Sequence, residues 1–173
     1  MALQSKSIKA LILDFDMTLF DTRADNNVRK AKKGSEIKWE DVFAVIPEYR
    51  LYHGWREVFA WAKDNNIKIG IVSTAKTELI NKTLEYFGLA CDAVVGWQLF
   101  VRKPSGKLVD MAIKKLKVAK ENVVSIGDSI IDKQMSDNGG VRFIGAIWDS
   151  EDVDELKGCI CLSTPSEIIN VTI

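Results

Sequence analysis

The chain has 173 residues, with 24 basic and 24 acidic side chains, and 47% of it is hydrophobic. That is the size of one ordinary domain with a real core, and zero net charge excludes recruitment of nucleic acid or an anionic membrane by the field of the whole molecule. Three cysteines (Cys91, Cys159, Cys161) are too few and odd in number for a disulfide framework, and fit reduced packing thiols.

In chain order, short apolar runs alternate with helical patterns. Ile8 to Phe15 (IKALILDF) reads as a first buried strand. Asp21 to His53 breaks the rhythm: it is charged, polar and far longer than a usual βα loop. We read it as an insertion carrying one or two short helices, with Lys38 to Val45 as a candidate. Trp55, Val58, Phe59 and Ala62 then recur at helical spacing, followed by a strand at Ile67 to Val72. A helix over Ile80, Thr83, Leu84 and Phe87 ends at Gly88, and a short strand begins at Asp92 to Val95. Val109, Ala112, Ile113 and Leu116 mark another helix before strands at Asn122 to Ile126 and Val141 to Ile147. Near-continuous apolar strands separated by amphipathic helices predict an α/β fold, a three-layer doubly wound parallel sheet with right-handed crossovers. Ligands of such sheets bind beyond the carboxyl ends of the strands.

The strand ends hold the reactive residues. The first delivers Asp14 and Asp16, two carboxylates that project the same way if strand geometry persists. The second ends in Ser73 and Thr74 ahead of a helical pattern, where free N–H groups are ready for an anion. Lys103-Pro104 opens the next helix, with Pro104 suited to its first turn. The fourth strand ends in Gly127-Asp128-Ser129, with Asp132 four residues beyond Asp128. There Gly127 permits a tight turn, and Asp128 offers oxygens to a hard cation. Taken singly, Asp16 or Asp128 is an ordinary helix cap, Ser73 a turn residue and Lys103 a solvated lysine. Together they occupy the one edge where this fold binds ligands.

These four segments resemble the four motifs of the haloacid dehalogenase (HAD) superfamily. DFDMT matches its DxDxT motif, Ser73 its second-strand hydroxyl, Lys103 in RKPSG its lysine motif, and GDSIID its acidic fourth motif. The tail from Ile147 to Ile169 looks like that of phosphoglycolate-phosphatase-like members. The resemblance implies a phosphatase acting on a phosphate monoester. Asp14 would be the nucleophile, forming an aspartyl-phosphate, and Asp16 the acid that protonates the leaving oxygen and then the base on water. Mg²⁺ would be held by Asp14, Asp128 and, through its backbone carbonyl, Asp16. Ser73, Thr74 and Lys103 would bind the phosphoryl oxygens. Thr18 would brace the loop of Asp16, and Asp132 would orient Lys103 or a metal-bound water. The acid at Asp16 separates this chain from the dehalogenases and P-type ATPases of the superfamily. The alternatives are a phosphomutase of the same fold and a non-catalytic binding module on the scaffold.

The whole chain is expected to be one such domain, with 21–53 a small cap, short for this branch. The expected substrate is a small phosphorylated molecule, or a larger one met by the basic run Arg29 to Lys33, which is otherwise a solvated loop. A homo-oligomer partner is the other way to cover an open site. His53 has no assigned role, and Trp97 either packs or lines the pocket. No apolar run is long enough to span a membrane and Met1 to Lys9 lacks a signal-peptide core, so the expected compartment is cytoplasmic.

Overall fold

At the centre of the molecule lies β1 (Ala10–Leu13), four residues that are fully buried on both faces. The structure is a computed structural model and describes residues 8–29 and 36–171. After β1 the chain runs through β2 (Phe20–Asp21), α1 (Trp39–Ala44), β3 (Arg50–Leu51), α2 (Trp55–Asp64) and β4 (Lys68–Val72). It continues through α3 (Thr77–Tyr86), β5 (Ala93–Val95), α4 (Lys107–Leu116) and β6 (Val123–Gly127). It ends with α5 (Ile130–Gly139), β7 (Arg142–Ala146) and β8 (Ile160–Leu162).

Six strands form one sheet in the order β5-β4-β1-β6-β7-β8, and every pairing in it is parallel. The alternation along β1 shows why both faces must be covered. Leu11 and Leu13 pack with Val58 and Ala62 of α2 and with Leu79, Ile80 and Leu84 of α3. Ala10 and Ile12 face the other way, toward Val109, Ala112 and Leu116 of α4 and Met135 of α5. Each of these larger aliphatic side chains contributes about 1.5–3 kcal/mol by leaving water. The result is the expected three-layer α/β architecture.

The chain reverses direction across the sheet at β1. It moves outward through β4 and β5, then crosses back to β6 on the opposite side of β1. The carboxyl ends of β1, β4 and β6 therefore lie side by side, and the residues that follow each of them share one edge.

Several boundaries differ from the sequence reading. The helix after Ser73 and Thr74 begins at Thr77, and α4 begins at Lys107 rather than at Pro104. Lys103 and Pro104, joined by a cis peptide bond, thus lie in an ordered turn before the helix. Four elements carry no helical or strand period that a reader of the sequence would detect. α5 buries Asp132, Ser136 and Gly139 alongside Met135, so its inner face is not an apolar stripe. β8 is a three-residue edge strand, and β2 with β3 is a two-residue antiparallel pair that closes the base of the insertion. That base is fastened by charge: Asp21 takes ion pairs from Arg23 at 2.8 Å and Arg50 at 2.5 Å. Hydrogen bonds from Arg23 lead in holding the Asp21 carboxyl well below the ordinary carboxylate range. Among the described residues, no helix is long and apolar enough to cross a membrane.

Candidate active site

Asp14 directly follows β1, and its backbone N–H still donates to Ile126 of β6 at 2.9 Å. It is therefore placed by the sheet ladder itself and is 9% exposed. Beyond it the chain folds back on itself. The amides of Leu19 and Phe20 both donate to the Phe15 carbonyl, and Met17 takes a left-handed φ of 58°. A methionine in that region is uncommon and costs free energy that the surrounding contacts must supply. Two indoles supply part of it: Trp55 and Trp148 both donate to the Thr18 carbonyl, at 2.9 and 3.1 Å.

The Thr18 hydroxyl reaches across to β6 and donates to Asp128 Oδ1 at 2.8 Å. It ties the loop of Asp16 to the fourth motif. Asp128 follows β6, and its backbone carbonyl accepts from Ser150 Oγ. Asp132 opens α5 in a capping box with Ser129. Its Oδ2 accepts from the Ser129 hydroxyl at 2.6 Å, which leaves Oδ1 free to point at the site. Gly127 is needed for this closeness. A Cβ there would lie 2.4 Å from the Cβ of Asp132, so the residue serves a close approach and not a special turn.

Lys103 joins the pieces. Its Nζ donates to Asp14 Oδ1 and to Asp132 Oδ1, both at 2.5 Å, and its side chain is 7% exposed. Burial works against its charge, but the two carboxylates outweigh that, and the ammonium is held above its ordinary range. Ligand oxygens of Asp14, Asp128 and Asp132 lie within 4.8 Å of one another. Burial drives the Asp14 carboxyl well above the carboxylate range. Lys103 opposes that shift, while Asp132, Asp128 and Asp16 add repulsion. Burial also pushes Asp128 up to about 6, against the Thr18 hydrogen bond.

One lysine facing three crowded carboxylates leaves an excess of negative charge, and the donors are all hard oxygens. The cluster therefore fits a divalent cation of the Mg²⁺ type. Both oxygens of Asp132 already serve Ser129 and Lys103. Of this cluster's oxygens, Asp14 Oδ2 and Asp128 Oδ2 are the two that no side chain among the described residues engages.

Ser73 follows β4 and is 2% exposed, and its Oγ accepts from the Ala75 amide at 3.0 Å. Thr74 beside it is exposed. Ser73, Thr74 and Lys103 line one recess of about 230 Å³ together with Trp97, which is 46% exposed. His53 is exposed and lies outside these recesses.

Asp16 stands apart from the acidic cluster. Its Oδ1 accepts from the Thr22 hydroxyl at 2.7 Å and from Arg29 Nη2 at 2.6 Å. Arg29 is held from behind by Asp25, with Nε 3.2 Å from Oδ2, and Tyr49 donates its hydroxyl to the same buried Asp25 carboxylate. Arg29 is thus no solvated residue of a basic run but a fixed partner of Asp16. Lys30, Lys32 and Lys33 lie outside the described residues. Sequence spacing carried no sign of the Arg29–Asp16 pair; the helical i,i+4 spacing of Asp25 and Arg29 was its only local clue.

A model of the family described as "Haloacid dehalogenase-like hydrolase" matches residues 25–146. The chain belongs to this HAD-like hydrolase family. The matched span begins after β1, so Asp14 and Asp16 precede it. Among sequence relatives, PpaX of Caldanaerobacter subterraneus subsp. tengcongensis is 29% identical over 135 residues, covering 71% of this chain and 61% of that protein. Pyrophosphatase PpaX of Listeria monocytogenes serotype 4b is 30% identical over 121 residues, or 63% of this chain and 56% of that protein. The chain thus spans less than two thirds of the length of these HAD relatives. CbbY from Rhodobacter sphaeroides, solved in complex with phosphate, superposes with a TM-score of 0.76 at 19% identity, covering 93% of this chain and 96% of that one. At that identity the likeness speaks for the HAD fold.

Proposed function

We propose that this chain is a metal-dependent phosphohydrolase that works through an aspartyl-phosphate on Asp14. The observation that carries the reading is the Lys103 bridge between Asp14 and Asp132, with Asp128 alongside, at the edge where three parallel strands end. Lys103 neutralises the approach of an anionic phosphoryl group to an anionic nucleophile, and Asp132 holds its ammonium in place. Ser73 and Thr74 supply hydroxyl and backbone donors to the other phosphoryl oxygens.

In the first step an oxygen of Asp14 forms a bond to phosphorus as the bond to the leaving oxygen breaks, and Asp16 gives that oxygen a proton. In the second, Asp16 takes a proton from water as the water oxygen displaces Asp14. A divalent cation bound by Asp14, Asp128 and the Asp16 carbonyl would supply Lewis-acid charge to the phosphoryl oxygens. The named pyrophosphatase among the relatives makes inorganic pyrophosphate a substrate to try beside organic monoesters. Asp14, Asp16 and Asp128 are all retained, which favours catalysis over a binding module. A phosphomutase must shield a bisphosphate intermediate from water, and we read 21–53 as a cap too small for that.

The reading is tested by phosphate release from p-nitrophenyl phosphate. Activity is expected with Mg²⁺, is expected to vanish in excess EDTA, and is expected to return poorly with Ca²⁺. The larger ion tolerates looser geometry and more ligands, and would misplace Asp14 relative to phosphorus. Full activity in EDTA contradicts the reading.

A further inference from the structure

Two clefts share Arg29 as a lining residue, and they differ in charge. One, of about 550 Å³, is bordered by Asp16, Asp128, Asp149, Glu151 and Asp152, with Arg29 and Arg23 as its cations. The other, of about 450 Å³, is lined by Arg29, Ile37, Trp39, Thr74, Lys76 and Trp97. Among the described residues no acidic side chain lines this second cleft. It shares Thr74 and Trp97 with the recess that holds Ser73 and Lys103, so the two spaces are adjacent.

If the roles of Asp14 and Asp16 are as proposed above, the position of the leaving group follows. Asp16 must touch the leaving oxygen, and Arg29 lies 2.6 Å from Asp16. Whatever is attached to that oxygen therefore lies beside the Arg29 guanidinium. Arg29 spends Nη2 on Asp16 and Nε on Asp25, while its Nη1 is buried and has no hydrogen-bond partner among the described residues. The Arg29 side chain as a whole is 22% exposed and lines this cleft, so it offers its positive charge to an anion there. Lys76 lies on the same wall, its Nζ 3.9 Å from the centre of the Trp39 ring. Trp39 and Trp97 add flat apolar surface.

We propose that this second cleft is the leaving-group subsite, and that it selects phosphorylated substrates whose leaving group carries a further negative charge, met by Arg29 and Lys76. Inorganic pyrophosphate belongs to this class, because its leaving group is itself phosphate. The cleft also has room for a larger organic anion, since small-molecule sites begin at about 300 Å³. The acidic cleft on the other side of Asp16 repels the same group, so charge directs it one way.

The test compares phenyl phosphate with 4-carboxyphenyl phosphate, which differ by one carboxylate on the leaving group, under Mg²⁺. The parent protein is expected to prefer the carboxylated ester in kcat/KM by about tenfold, the effect of one good charged contact. Lys76→Gln is expected to reduce that ratio several-fold, Lys76→Arg to retain it, and Lys76→Glu to invert it. Arg29→Gln is expected to slow both esters, because it also releases Asp16, and to remove most of the remaining preference. Inversion by Lys76→Glu is the decisive reading, since a merely structural role for Lys76 would slow both esters alike. Equal hydrolysis of both esters by the parent protein overturns the subsite and leaves the assignment of Asp14 standing. Hydrolysis of neither ester overturns that assignment and the subsite with it.

Discussion

Asp14→Asn is expected to lower kcat by on the order of 10⁴-fold or more, the scale seen when a covalent nucleophile is removed. The amide has no anionic oxygen to attack phosphorus. The fold is expected to survive, and two features argue for it. Lys103 keeps Asp132 as a partner at 2.5 Å, so no ammonium is left unpaired. Neutralising the side chain also removes a negative charge that burial and three neighbouring acids disfavour. Thermal melting at neutral pH is therefore expected to lie at or above that of the parent. Retained turnover in a folded Asp14→Asn protein would show that another group attacks phosphorus.

Lys103→Ala is expected to damage both function and stability. It removes the cation beside the transferring phosphoryl group and leaves Asp14 and Asp132 facing each other inside the protein. Breaking a buried pair by deleting one member costs about 3–5 kcal/mol. The pH dependence has a definite sign. Lys103 opposes the rise of the buried Asp14 carboxyl, so without it burial and repulsion hold that group still further above its unfolded value near 3.9. The native state then binds more protons than the unfolded one, so its stability falls as pH rises. The deficit relative to the parent is expected to be largest above the raised native pKa and to shrink as pH falls toward the unfolded value. Urea denaturation in EDTA at several pH values checks this. A deficit that does not change with pH would mean that Lys103 acts by packing its stem and not by its charge.

The arrangement that underlies both expectations was partly legible in the sequence. Strong apolar runs marked β1, β4, β5, β6 and β7, because a parallel strand buried on both faces has few polar positions to interrupt it. Asp14, Ser73 and Asp128 then stand out as the first polar residues past such runs. Their convergence follows from strand order, which the alternation of strands and helices constrains but does not state. What the sequence concealed depends on contacts between distant residues. Thr18 and Asp128 are 110 residues apart, and nothing in either segment announces their hydrogen bond. Arg29 stands in a run of basic residues and looks solvated, yet a buried Asp25 and Tyr49 fix it against Asp16. Gly127 looks like a turn residue, and only the packing of α5 shows that a Cβ would collide with Asp132. β2 and β3 are two residues each, too short for any period to register.

The central claim, that phosphate passes through a covalent bond to Asp14, is tested most directly by trapping. Asp16→Asn cannot protonate the leaving oxygen or deprotonate water, but an activated ester such as p-nitrophenyl phosphate needs little acid help to depart. The first step is then expected to outrun the second, so that phosphoenzyme accumulates. Acid quench followed by peptide mass spectrometry is expected to find one phosphate adduct, on the peptide that contains Asp14. An adduct on Ser73 or on His53, or turnover of the ester by this variant without any adduct, would contradict the account.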